Sequence, residues 1–326
     1  MIYSRIRVQF RTILAAILAA CIGLGLSFPS FAAEKDVLRI GYQKSSSLLI
    51  ILKANGALER ALAPLNVEVK WSEFSSGLPL LEGVNVGSID ISADVAEPVP
   101  LFAQAAGAKL TYLAQEAPSP KAQAIVVPAD SPIRTVADLK GKKVGFTKAA
   151  GVHFLLLNSL KRAGLKFRDI EPAYLQPADA RAAFERGAID AWATWDPHLA
   201  NLQSKRAVRV IADGTYADVG YRRYYLASSE YARRRPDVLK VVFNELRKTG
   251  RWVKQNKKQA AKFHAPLIGL APATVEIVNA RRSYDIRPVD ERALRQQQSI
   301  ADAFAEARLL PRRINPHDNG IWNPKR

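Results

Sequence analysis

The groups in this sequence best suited to chemistry lie where apolar strand patterns give way to helix patterns, and they suit the holding of an anion. Gln43-Lys44-Ser45-Ser46-Ser47 follows a strand pattern at 37–42 and runs directly into a helix pattern over 48–63. Free backbone N–H groups and the helix dipole make such a start an anion site, with the hydroxyls as further donors. A second role is open to the serines, because one of them caps the helix without any ligand. Thr147-Lys148-Ala149-Ala150-Gly151-Val152-His153 is the equivalent corner after the strand pattern at 143–147. Gly151 there lets backbone approach a ligand closely, and His153, in the first helical turn, serves either ligand or core. Asp94 and Glu97 follow the strand pattern at 88–92 and either accept from a ligand amine or form a salt bridge across a cleft. Trp195-Asp196-Pro197 closes the strand pattern at 189–195. Trp195 walls a cleft or packs in the core; Asp196 meets a ligand or caps the next helix, whose first turn suits Pro197. Trp192, three residues earlier, faces the opposite side of the strand.

Catalysis has no comparable set. The four histidines, His153, His198, His264 and His317, lie far apart with no spacing of the H-E-x-x-H kind. The sequence has no G-x-S-x-G elbow, no Walker loop and no G-x-G-x-x-G after a strand, and Cys21 is its single cysteine. No catalytic residue, metal or cofactor is expected. Binding is.

Positioning these corners falls to an α/β architecture. Strand patterns at 37–42, 67–71, 88–92, 110–114, 122–127, 143–147, 174–175, 189–195, 208–212 and 224–227 alternate with helix patterns, which predicts parallel-dominated sheet with helices on its faces. The helices fall at 48–63, 78–86, 98–106, 152–163 and 177–186, with a short one at 135–139 framed by Thr135 and Asp138 as a capping box. From Pro236 onward the pattern is mostly helical, over 236–256, 258–264, 272–282 and 290–308. Two motifs recur in the same order at nearly equal separation. Arg39-Ile40-Gly41-Tyr42-Gln43-Lys44 returns as Lys143-Val144-Gly145-Phe146-Thr147-Lys148, and Gly87-Ser88-Ile89-Asp90 returns as Gly187-Ala188-Ile189-Asp190. The economical explanation is two similar lobes: residues 33–122, with 223–326 returning to it, and residues 123–222. Ligands favour such interfaces, and the strand ends named above converge there.

Residues 1–32 have the form of a signal peptide: Arg5, Arg7 and Arg11, then an apolar run over 12–28, then Ser30-Phe31-Ala32 as cleavage site. Leu18-Ala19-Ala20-Cys21 offers lipoprotein anchoring as a minor alternative, but the apolar run continues beyond Cys21, which favours ordinary cleavage. Losing those three arginines lowers the +18 net charge by three. The remaining cations are scattered over helical faces with no aromatic-interleaved stripe, so a solvated surface is expected and no nucleic-acid partner. No later segment has the length of a membrane span.

The mature part resembles the periplasmic substrate-binding proteins of ABC importers for aliphatic sulfonates, relatives of taurine- and nitrate-binding proteins. The resemblance is carried by LRIGYQK at 38–44, LEGVNVGSID at 81–90, PLFAQAAGAKLTY at 100–112, SPIRTVADLKGKKVGF at 131–146 and the block 163–197 ending DAWATWDP. It implies an α/β, two-lobed, type II periplasmic binding fold with the ligand cleft between the lobes. It also implies a monomer that delivers a small organic anion to ABC permease transmembrane subunits and performs no chemistry. The ligand-binding residues expected are Gln43, Ser45, Ser46, Ser47, Asp94, Glu97, His153, Trp195 and Asp196. The alternatives are the same fold carrying taurine, nitrate, a sulfate ester or a thiamine precursor and, remotely, an enzyme on this scaffold. The sequence departs from the family near the expected site: Ser45-Ser46-Ser47 stands in place of a Gly-Ser pair, Ala93-Asp94-Val95-Ala96-Glu97 in place of a Thr-Gly-Asp turn, and Ala149-Ala150-Gly151 in place of a serine-rich helix start.

Overall fold

Each copy of the recurring motif closes one parallel strand of its sheet. The Asp90 carboxylate accepts from the Arg39 N–H at 2.8 Å, and the Asp90 N–H donates to the Arg39 carbonyl at 2.8 Å. Asp190 does the same with Lys143, at 2.7 and 2.8 Å. Ile89 and Ile189 pack over Gly41 and Gly145, where a Cβ would stand 3.3 and 2.4 Å from the isoleucine. Gly87 and Gly187, at φ 75° and 70°, end the preceding helices in the left-handed conformation. These are the halves of a computed structural model that describes residues 35–324, nearly all within the unit Val37–Arg326. The expected signal peptide and Cys21 lie outside the described residues.

Two sheets carry the fold. The larger is built on Asp36–Tyr42, with Val67–Glu73 on one side and, on the other, Ile91–Ser92, Arg223–Ser228, Leu110–Glu116 and Ile286–Arg287 in that order. The smaller runs Val208–Asp213, Gln123–Pro128, Ala191–Trp195, Lys143–Phe146, Glu171–Tyr174. Both are mixed, which corrects the expectation of parallel-dominated sheet. Ile40 pairs Ile91 and Val144 pairs Ala191 in parallel, but Arg223–Ser228 and Gln123–Pro128 run antiparallel to their neighbours. The chain enters these two strands on crossing from the other sheet, so they run away from the ends where the parallel strands finish.

The helix expected at 48–63 is two helices, Ser47–Asn55 and Ala57–Leu62, because Gly56 takes φ 62° between them. The strand expected from 189 begins at Ala191, since Ile189 and Asp190 are occupied by the closure described above. The capping box at Thr135 and Asp138 is present, on a 3-10 turn. Trp192 and Trp195 face opposite sides of their strand: Trp192 packs with Phe184, Leu199 and Leu202, Trp195 with the core of the other face. In the return segment, Pro236–Gln255 buries Leu239, Val242, Phe243 and Leu246 against the larger sheet. The helix Glu291–Glu306 serves both sheets, with Ala293 and Leu294 in one core and Ile300, Ala301 and Phe304 in the other.

Candidate functional site

Three helices begin around one small chamber: Ser47–Asn55, Gly77–Asn85 and Gly151–Arg162. Ser45, Gly77, Ala150 and Gly151 line it, and it holds about 20 Å³ of free volume. None of Ser46, Ser76 and Ala150 caps its helix with a side chain. The first-turn N–H groups of a helix point out of its start, so this corner concentrates donors and positive dipole. Gly151 has no room for a side chain, since a Cβ would stand 2.4 Å from the Tyr221 ring.

Beneath the chamber lie two fully buried arginines. Arg223, the first residue of its strand, donates to Asp94 Oδ2 at 2.7 Å and to the Tyr221 hydroxyl at 3.1 Å, with its guanidinium 4.8 Å from the Tyr221 ring centre. Arg282 donates to the same Asp94 oxygen at 3.0 Å, to the Ser45 carbonyl at 2.7 Å, and to both oxygens of Glu116. Burial alone would raise the Glu116 pKa, but Arg282 outweighs it and holds Glu116 below the usual carboxylate range. Burial opposes the charge on Arg282 as well; Glu116 and Asp94 more than offset this and hold its pKa well above the usual value. Two guanidinium groups are thus balanced by two carboxylates in a site without bulk water, where each ion pair is strong. Three buried polar atoms here have no hydrogen-bond partner among the described residues: Arg223 Nε, Asp94 Oδ1 and Ser76 Oγ. Unmade bonds of this kind are costly, and an anion in the chamber would supply the acceptor that Arg223 Nε lacks.

The expected site residues divide. Gln43, Ser45, Asp94 and Trp195 line the chamber, and Gln43 Nε2 donates to the Asp94 carbonyl at 3.4 Å. Ser46 does not: its Oγ accepts the Gln43 N–H at 3.1 Å and shapes the turn. Ser47 lies one layer below, hydrogen-bonded to the Tyr284 hydroxyl at 3.2 Å. Glu97 is buried outside the chamber, where Oε1 accepts the Arg222 N–H at 2.8 Å and burial pushes its pKa up to about 7. His153 is a core residue. Its ring is ringed by Phe102, Phe146, Phe167 and Phe304, its Nδ1 accepts the Ala149 N–H at 3.2 Å, and burial pushes its pKa down to about 3. Asp196 caps the helix His198–Lys205 through the Ala200 N–H at 3.0 Å and pairs with Arg281 at 3.1 Å. Burial still pushes Asp196 up to about 6. Sequence reasoning missed Arg223, Arg282, Tyr221 and the Ser76-Gly77 helix start. Ser75-Ser76-Gly77 before a helix is the same signal as Ser45-Ser46-Ser47, and Arg222-Arg223 opening the apolar run 224–227 is a second one.

Gln43, Ser45 and Trp195 also line a second, larger cavity, a vestibule of about 650 Å³. Phe74, Pro177, Ile268 and Leu270 give it apolar walls. His198 stands edge-on to Trp195 at 5.4 Å, and burial pushes its pKa down to about 4, with Lys44 and Arg181 acting in the same direction.

Residues 36–265 match the family model described as the substrate binding domain of an ABC-type glycine betaine transport system. Over 316 residues the chain is 40% identical to an aliphatic sulfonates-binding protein of Escherichia coli strain K12, covering 96% of this chain and 97% of that protein. Two solved structures are similar. The periplasmic aliphatic sulphonate binding protein SsuA from Escherichia coli superposes with a TM-score of 0.79 at 40% identity, covering 88% of this chain and 97% of that one. The alkanesulfonate-binding protein SsuA from Xanthomonas axonopodis pv. citri, bound to MOPS, gives 0.83 at 41% identity, covering 88% and 98%. Two α/β sheets meeting over a donor-rich chamber define a type II periplasmic substrate-binding protein. The chain belongs to the aliphatic-sulfonate-binding family of ABC-importer substrate-binding proteins. It is a periplasmic binding component and not an enzyme, and its partners are a small anionic ligand and an ABC permease. Among the described residues no helix is long and apolar enough to cross a membrane.

Proposed function

We propose that this chain captures an aliphatic sulfonate, head first, in the chamber above Arg223. Arg223 Nε carries the reading: it is a buried charged donor without an acceptor, at the meeting of three helix starts. A sulfonate offers three oxygens to such donors, and hydrogen bonds between ionised partners are among the strong ones. Gln43 and Ser45 flank the head, and Trp195 lies along the first carbons of the tail. Asp94 does not repel the anion, because both guanidinium groups already compensate its charge. Its role is to hold Arg223 in place. Residues 33–122 with 223–326, and residues 123–222, are the two lobes that close on the ligand. The protein works as a monomer without nucleic acid.

The test is a thermal-shift and calorimetric screen of the mature protein against alkanesulfonates, taurine, nitrate, sulfate esters and thiamine precursors. A ligand at 100 times its dissociation constant stabilises by about 2.7 kcal/mol. Binding of alkanesulfonates with loss in Arg223→Ala is the expected result. Silence toward every sulfur-containing anion would sink the reading.

A further inference from the structure

The vestibule outside the head chamber is cationic on both of its sides. Lys44 enters it from the turn after Asp36–Tyr42, in the larger sheet, and Lys205 from the last residue of His198–Lys205, which packs on the smaller one. Arg181 adds a third positive charge, already engaged by Glu185 at 2.8 Å, and Glu73 is the single acid among the described residues that line the vestibule. The side chains of Lys44 and Lys205 make no ion pair or hydrogen bond among the described residues. The buried layer behind the chamber is neutral in sum, with Arg223 and Arg282 against Asp94 and Glu116. A ligand with one sulfonate would satisfy the chamber and leave the two lysines that line the vestibule unanswered, although like charges lining one cavity are unfavourable without a counter-charge. The apolar walls between, Phe74, Pro177, Ile268 and Leu270, suit a short hydrocarbon chain.

We propose that the preferred cargo is a sulfonate whose carbon chain ends in a second anionic group, a carboxylate or a second sulfonate, seated between Lys44 and Lys205. The proposal rests on the reading of the inner chamber as the sulfonate site. The chamber fixes the head, the apolar walls take the chain, and the two lysines select what lies at its far end. Specificity then comes from an opposite charge on the ligand, with rejection of a terminal ammonium as its other face.

Calorimetry on the mature wild-type protein tests this with three four-carbon or near-isosteric compounds: butane-1-sulfonate, 4-sulfobutanoate and 3-aminopropane-1-sulfonate. The expected order is sulfobutanoate tightest, by about tenfold over butanesulfonate, with the aminosulfonate weakest. In Lys44→Ala/Lys205→Ala, with fold checked by circular dichroism, the ratio of sulfobutanoate to butanesulfonate affinity falls to near unity. Both lysines are exposed, so the variant keeps the core intact. A wild-type ratio of one or below, or a ratio unchanged by the double substitution, overturns the proposal while the sulfonate site stands. Failure of all three compounds to bind removes the sulfonate reading, and this proposal with it.

Discussion

Arg281 donates to Asp196 at 3.1 Å, while its chain neighbour Arg282 reaches Asp94 at 3.0 Å beneath the chamber lined by Arg223. Two consecutive arginines at the end of the helix Pro272–Arg281 therefore hold two different strand ends: Asp196 follows Ala191–Trp195 in the smaller sheet, and Asp94 follows Ile91–Ser92 in the larger. The return segment is thereby a clasp on the smaller sheet as well as part of the larger.

Removing Arg281 tests the clasp. The Asp196 side chain is fully buried and that of Arg281 is 22% exposed, so Arg281→Met leaves an uncompensated carboxylate. A loss of about 2 kcal/mol at pH 7.5 is expected, below the usual cost of breaking a fully buried pair because one partner meets solvent. Burial holds Asp196 near 6, so at pH 5 it carries a proton and the loss shrinks. Urea denaturation at both pH values reads this. An equal loss at both would show that packing, and not charge, is what Arg281 contributes.

Glu97 gives the fold a second pH dependence. Its pKa is about 7 in the fold against 4.5 as its ordinary value, raised by burial. Below 4.5 both folded and unfolded chains hold the proton, and there is no penalty. As pH rises through 4.5 to 7 the unfolded chain releases it first, so stability falls across that window and stays lower above it. The full effect is about 3 kcal/mol. Glu97→Gln keeps an acceptor for the Arg222 N–H and removes the ionisation. The variant is expected to be more stable than the parent at pH 8 and no more stable at pH 4.5; guanidinium titrations that fail to diverge with pH would refute it.

Arg223 and Arg282 differ in what they would reveal. Arg223 faces the chamber, so Arg223→Lys keeps a positive charge but loses the planar donor set and the Tyr221 stacking. Sulfonate affinity is expected to fall by about a hundredfold with most of the stability kept. Arg282 does not line the chamber and holds Asp94, Glu116 and the Ser45 carbonyl together. Its replacement by Met leaves two buried carboxylates short of a partner, and a loss of several kcal/mol is expected. Equal effects of both substitutions on affinity and stability would mean that the two arginines are not divided in this way.

What was legible in the sequence is what neighbours in the chain decide. The capping box at Thr135 and the opposite faces of Trp192 and Trp195 follow from local spacing. The match of Gly87–Asp90 with Gly187–Asp190 was visible too, though its meaning was structural: it closes strands. The arginines under the chamber were hidden among 48 Lys and Arg residues. What singles out Arg282 is burial against Asp94 and Glu116, 188 and 166 residues away in the chain. His153 was misleading for the converse reason, since its place in the first turn suggested a ligand while four phenylalanines from separate segments enclose it. Strand direction was also beyond local pattern, because crossing strands read like any others.

The strand closures yield a last prediction. At Gly145 an added Cβ would stand 2.4 Å from Ile189 Cδ1, with the other Ile189 carbons no nearer than 3.6 Å. Gly145→Ala therefore conflicts with one methyl group, and overpacking of this kind costs about 2 kcal/mol. Ile189→Val removes that methyl and alone costs about 1 kcal/mol. Together the two substitutions are expected to cost less than their sum by at least about 1 kcal/mol, because the alanine methyl fills the space that valine vacates. Gly41 in the other sheet has no such single opponent: its Cβ would meet Leu80, Phe74 and Ile89 at 3.1 to 3.3 Å. Ile89→Val is accordingly expected to relieve Gly41→Ala little. Urea denaturation of the two double-mutant cycles measures both couplings, and a strong coupling in the first sheet would show that the two closures are packed alike after all.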